Sequence, residues 1–328
     1  MRKTLVAIAA AFTLLAAGCG SQGTGGDGGS SPAADPSSSE AATRTVEHAK
    51  GTAEIPAKPQ RIVSTSVTLT GTLLAIDAPV VGSGGSKPNG PGLDANGWFT
   101  HWSKIAEERG VESLYTGSNL DIETITAAKP DVIIVAATGN DSAVDSYDQL
   151  NQIAPTLVVD YNSHDWEEVT RQVGQMLNLS ENADKILTEF DAFSTEAKDK
   201  IKAPTSPVDI AVYNGEKGMS VGLPTAPQAL ILKKLGIDVA DTGVEPEKGR
   251  KDFAFTSPER AVTYLKSEQM LLVGNEQQQV DALLQDERFA TIPSVQSKQV
   301  KPLGQASFKL DYYSARDLVE HAVAAYSA

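Results

Sequence analysis

The chain has 328 residues, with 42 acidic against 28 basic side chains for a formal net charge of −14, and a single cysteine. At roughly 100–200 residues per domain that length points to two domains, each able to bury a core. The acidic balance excludes a nucleic-acid binder and attachment to an anionic membrane by surface charge, and one cysteine builds no intrachain disulfide, thiolate zinc site or iron–sulfur cluster.

Met1-Arg2-Lys3 is a short basic start, and Leu5 to Ala17 is apolar except for Thr13. That run is well short of the roughly 20 residues that span a bilayer. With small residues following, residues 1–18 have the form of a secretory signal peptide. Leu15-Ala16-Ala17-Gly18-Cys19 resembles a bacterial lipobox, with the usual aliphatic residue displaced by one place. The resemblance implies that Cys19 is diacylated and opens the mature protein; two acyl chains anchor stably where one is marginal. Gly20 to Ala42 contains 6 Gly and 6 Ser and no side chain larger than Glu or Gln. It cannot bury apolar surface, so residues 19–43 are expected to be a disordered tether. Its G-x-G-x-x-G match at Gly23, Gly25 and Gly28 has neither a strand before it nor a helix after it, so a dinucleotide site is rejected. The folded part is expected outside the cytoplasm, lipid-anchored to the cell membrane.

From Arg44 onward, short apolar runs alternate with amphipathic stretches. Arg61 to Ser64 reads as a strand, followed by a helix over about 68–76 with Ser66 as N-cap. Val80 to Gly82 is a second strand. Val132 to Ala136 is a β-branched run suited to a buried parallel strand. A helix over 146–153 leads to the strand at Leu157 to Asp160. Ser180 is placed to cap a long helix whose apolar stripe is Ala183, Ile186, Leu187, Phe190, Phe193, Ala197 and Ile201, ended by Pro204. The α/β pattern then restarts: a strand at Ile210 to Tyr213, a helix over 226–235, a strand at Met270 to Val273, a helix over 280–285 and a last helix over 312–326. The reading is α/β: two lobes with parallel sheets, joined by a single long helix. The lobes are expected at 44–160 and 205–328, with a connecting helical region at 161–204. An internal echo supports this. Glu123 opens a short helix that feeds the strand at Val132, and Glu259 opens one that feeds the strand at Met270.

Enzymatic signatures are missing: there is neither a G-x-S-x-G elbow nor a G-x-x-x-x-G-K-[ST] loop. His48, His101, His164 and His321 are scattered without metal-ligand spacing. No catalytic residue, metal site or intrinsic cofactor is expected.

A sharper pattern runs through Pro59 to Gly71, Leu73 to Pro79, Ala137 to Ala143, Tyr147 to Leu150, Ile153 to Leu157, Lys298 to Val300 and Leu310 to Ala315. It resembles the ferric-siderophore substrate-binding lipoproteins of bacterial ABC iron importers, the ferric-enterobactin group of the helical-backbone, class III periplasmic binding proteins. The resemblance implies two Rossmann-like lobes bridged by a backbone helix with the ligand cleft between them, capture there of a catecholate ferric siderophore, and its delivery to an ABC permease without covalent change to the ligand. Such a chelate satisfies the iron itself, so iron(III) travels only as the siderophore complex and the protein supplies cations and flat apolar surface. A haem, a corrinoid or another iron chelate on the same fold is the alternative. The ligand-binding candidates are Ser64, Ser66, Lys87, Trp98, Trp102, Tyr213, Arg250, Lys309 and Tyr312, with Tyr115, Lys251 and Phe253 near them. By the same resemblance Lys309 is the basic ligand-facing residue, and Glu123 and Glu259 dock on permease arginines. A monomer is expected. The chain departs from the family pattern at three places: Asn89-Gly90-Pro91 lacks an arginine, Gly222 stands in place of a tryptophan, and Lys309 in place of an arginine. The last change replaces a planar fork by a point charge.

Overall fold

Thr43 opens the first strand of the structure, a computed structural model that describes residues 42–117, 119–246 and 250–327. The expected signal peptide, the lipidation site at Cys19 and the tether up to residue 41 lie outside the described residues. Strands β1 (Thr43–His48) and β2 (Gly51–Pro56) pair as an antiparallel hairpin, so the last residue assigned to the tether is already in a sheet. Each strand buries one side chain, Val46 and Ile55, against the core beneath.

The first large sheet follows as β3 (Ile62–Ser64), α1 (Val67–Ala75), β4 (Val80–Gly84), α2 (Thr100–Glu108), β5 (Glu112–Tyr115), α3 (Ile122–Ala127), β6 (Val132–Ala136), α4 (Tyr147–Leu150) and β7 (Thr156–Val159). Its strand order is β5-β4-β3-β6-β7 and every pairing is parallel. All five residues of β6 are buried, as a strand covered on both faces requires. Ser66 caps α1 by accepting the Leu69 N–H at 3.2 Å.

Two helices make the connection, α5 (Trp166–Met176) and α6 (Ser180–Lys198). The 19 residues of α6 bury Ala183, Ile186, Leu187, Phe190 and Ala197 of the stripe read from the sequence, while Phe193 is half-buried and the helix ends at Lys198, before Ile201 and Pro204. Ser180 does not cap it. Asn178 turns the chain through a left-handed φ of 59° and the Leu179 N–H bonds back to the Gly174 carbonyl, so Ser180 is already the first helical residue.

The second large sheet contains β8 (Asp209–Tyr213), β9 (Met219–Gly222), α7 (Pro227–Lys234), β10 (Phe253–Thr256), α8 (Pro258–Tyr264), β11 (Met270–Leu272), α9 (Gln277–Gln285), α10 (Pro293–Gln296), β12 (Val300–Pro302) and α11 (Tyr312–Tyr326). Its order, β10-β9-β8-β11-β12, repeats the layout of the first sheet, but the sheet is mixed where a parallel one was expected. The cause is local. Only residues 214–218 separate β8 from β9, too few for a parallel crossover, so β9 returns as a hairpin partner. Gly218 makes that turn at φ 114°, and a Cβ there would lie 2.2 Å from the Thr256 carbonyl oxygen. The helix–strand units α3–β6 and α8–β11 occupy equivalent places beside the central strands β3 and β8. Helix α11 closes the fold by packing on α1, α2, α6 and α7.

Candidate functional site

The ends of β3, β6 and β7 are laced together by one carboxylate. Asp141, in the loop after β6, accepts the Ser66 hydroxyl at 2.6 Å, the Thr68 N–H at 3.0 Å and the Tyr161 hydroxyl, just beyond β7, at 2.8 Å. Burial alone would raise this carboxyl. The hydrogen bonds from Ser66, Thr68 and Tyr161 outweigh it and hold Asp141 below the ordinary range, so it stays charged. Burial and the Asp141 charge push the Tyr161 phenol upward, so Tyr161 remains the donor.

Lys309 follows the single turn of 3-10 helix at Gln305–Phe308, and its Nζ stands 4.9 Å from the centre of the Tyr161 ring. Burial pulls its ammonium pKa down against the attraction of Asp141. Arg250 pushes the same way as burial, and Asp252 opposes it. Arg250 is itself held bidentately by Asp252, Nε to Oδ1 at 3.0 Å and Nη2 to Oδ2 at 2.9 Å.

Two small cavities meet at Phe308. One, of about 130 Å³, is lined by Pro91, Gly92, Phe99, Thr100, Gln305, Ala306, Phe308 and Lys309. The other, of about 90 Å³, is lined by Ser220, Arg250, Phe253, Phe255 and Phe308. Phe255 and Phe308 are 53% and 39% exposed, so two aromatic rings stand open on this wall. The rings of Phe253 and Phe308 lie 5.7 Å apart. Cations on an apolar, aromatic wall suit an anionic ligand with flat rings.

Of the residues singled out from sequence, the structure brings Lys309, Arg250 and Phe253 to these cavities. Ser64 and Ser66 lie beneath, fully buried, with hydroxyls spent on the Ser66 carbonyl and on Asp141. Trp98 and Trp102 are core residues, 1% and 0% exposed, with ring centres 5.8 Å apart. Trp102 lies on the face that α2 turns toward α1 and α11, Trp98 stands just before the helix and packs against it, and Phe99 at the N-cap reaches the cavity instead. Tyr213 is committed to the second core. Its hydroxyl donates to Asp286 at 2.9 Å and its ring meets the edge of Phe289. Tyr312 packs beside Tyr313, with the Arg316 guanidinium shared between it and Phe193 of α6. Tyr115 supports the end of β3 by donating to the Thr65 carbonyl at 2.9 Å. Lys87 and Lys251 are exposed and line neither cavity. Glu123 and Glu259 are exposed in the first turns of α3 and α8, and among the described residues neither takes part in an ion pair.

Sequence reasoning missed Asp141, Tyr161, Asp252, Phe255 and Phe308 as members of the site. A signal existed for one of them: in Phe253-Ala254-Phe255-Thr256 the period of two puts Phe255 on the same face as Phe253, and both line the second cavity. The four histidines stay apart, with His101 on Asp311, His164 on Glu168, His321 on Asp317 and His48 beside Tyr147. Among the described residues no three His, Cys, Asp or Glu side chains converge to hold a metal.

Residues 62–306 match the periplasmic binding protein family. The chain belongs to that family. It is 38% identical over 283 residues to the ferric enterobactin-binding periplasmic protein FepB of Escherichia coli O6:H1 (strain CFT073), covering 84% of this chain and 89% of that one. It is 30% identical over 223 residues to the probable siderophore-binding lipoprotein YfiY of Bacillus subtilis, covering 67% and 65%. Among solved structures, holo-ViuP superposes with a TM-score of 0.78 at 32% identity, over 87% of this chain and 95% of its own. Staphylococcus aureus SirA, complexed with staphyloferrin B, shares the fold at a TM-score of 0.64 and 17% identity, over 85% and 96%. Among the described residues, no helix of this family member is long and apolar enough to cross a membrane.

Proposed function

We propose that the protein captures a ferric siderophore with aromatic, catecholate-type arms outside the cytoplasm and delivers it intact to an ABC permease for iron uptake. The observation that carries this is the joint lining of the two cavities: Lys309 and Arg250 as cations, Phe253, Phe255 and Phe308 as ring surfaces, in a chain related to a ferric enterobactin-binding protein. Each cavity is below the roughly 300–1,000 Å³ of an ordinary small-molecule pocket. A bulky chelate therefore spans both, crossing Phe308. A lipid anchor at Cys19 would keep the monomer at the membrane that holds its permease. Titration of the purified protein with a panel of ferric siderophores, read by quenching of tryptophan fluorescence, tests the proposal. Binding of an aryl chelate below about 10 µM is expected; no binding by any ferric siderophore overturns it.

Lys309 gives the binding a pH signature. Burial depresses its pKa, so the cation is lost at a pH below the ordinary lysine range. Affinity for an anionic chelate is expected to fall as pH rises through that depressed value. Lys309→Arg, whose guanidinium stays charged, is expected to bind with little pH dependence over the same window. Parallel pH profiles that fall together would remove Lys309 as the titrating group.

Docking is assigned to Glu123 and Glu259, supported by their equivalent places in the two sheets. The Glu259 carboxyl is held low by its own backbone N–H and by Ser257, so it presents a charge. Reversing both charges, Glu123→Arg with Glu259→Arg, is expected to abolish iron uptake in cells while chelate affinity stays as in the unaltered protein. Uptake at the normal rate would rule the pair out.

A further inference from the structure

The two cations that line the cavities do not stand alone. Arg250 is closed into a bidentate pair by Asp252, which takes up two of the five N–H donors of its guanidinium. Lys309 sits on the Tyr161 ring, whose hydroxyl is bound to the ionised Asp141. Each cation that touches the cavities is thus opposed by a carboxylate, Arg250 by Asp252 and Lys309 by Asp141 and Asp252. A highly charged chelate thus meets less attraction than Lys309 and Arg250 would provide unopposed, and the aromatic wall carries more of the recognition.

We propose that Asp252, together with Asp141, is a built-in counter-ion that sets the cleft's selectivity for the charge of the chelate, disfavouring highly anionic complexes relative to less charged ones. This rests on the reading of the cleft as the siderophore site. Asp141 is unsuitable as the probe because it also ties Ser66, Thr68 and Tyr161 together. Asp252 has no such duty: its carboxylate is partly exposed and bonded only to Arg250 among the described residues.

The test compares two probes on the full folded protein, the trianionic tris-catecholate ferric enterobactin and the neutral tris-hydroxamate ferrichrome. Asp252→Asn frees the Arg250 charge and is expected to raise the ratio of affinities, trianion over neutral, about tenfold at low salt, with the gain shrinking as salt is added. Asp199→Asn, at the far end of α6, makes the same change in net charge and is expected to leave the ratio where it was. A ratio that is unchanged or lower in Asp252→Asn, or raised equally by Asp199→Asn, overturns the counter-ion role while leaving the siderophore reading intact. If the unaltered protein binds neither probe nor any other ferric siderophore, the siderophore reading itself fails, and the inference with it.

Discussion

Lys309→Met is expected to weaken binding of an anionic ferric chelate by ~2–5 kcal/mol, the cost of removing one partner of a desolvated charge pair. The same change is expected to leave the melting temperature unchanged or slightly higher. Burial lowers the Lys309 pKa, which means that folding disfavours its charged form. Below its folded pKa the group opposes stability, and that opposition fades as pH rises through the folded value toward the unfolded one. Met keeps the unbranched stem and drops the charge. Affinity and stability should therefore move in opposite directions, as expected where a group is retained for its ligand. Unchanged affinity would remove Lys309 from the site, and a large loss of stability would contradict the burial cost assigned to it.

Trp102→Ala is expected to cost ~3–5 kcal/mol of stability, from the buried apolar surface removed and the cavity left behind. Trp102 is fully buried, packed beside Trp98 and edge-on to Phe99, and a Cβ built at Gly71 of α1 would lie 2.8 Å from its ring. Its indole N–H finds no acceptor among the described residues, so Trp102→Phe sheds an unpaired donor together with some volume and is expected to cost far less. Thermal and denaturant unfolding of the two variants check this. A Trp102→Ala protein that unfolds normally but no longer binds chelate would return the residue to the ligand surface.

These two residues also mark how far the sequence could be read. The elements with strong local signals were legible: Ser66 caps α1, Val132–Ala136 is a buried central strand, and α11 runs over Tyr312–Tyr326 as its pattern indicates, opened by the Asp311 capping box. Short elements escaped. β9 and β10 have four residues each, and whether such a strand runs parallel or antiparallel depends on the turn that delivers it. The site was half legible. Lys309 stood out through the family resemblance, and Arg250 as a basic residue around the expected cleft. Their partners did not, because Asp141, Tyr161 and Phe308 come together only through the tertiary fold. The tryptophans misled because an indole suits a ligand face and a core equally well. The direction in which α2 turns Trp102, with Trp98 packed beside it from just before the helix, follows from packing against α1 and α11, which the local sequence does not encode.

A crystal structure of the protein loaded with a ferric siderophore, with the iron located by its anomalous scattering, tests the central claim most directly. Iron held between Lys309 and the Phe253–Phe255–Phe308 wall, with aryl arms on those rings and Arg250 within reach of the chelate's oxygens, is the expected result. Iron bound elsewhere on the molecule, or coordinated by protein side chains in place of the siderophore, would contradict it.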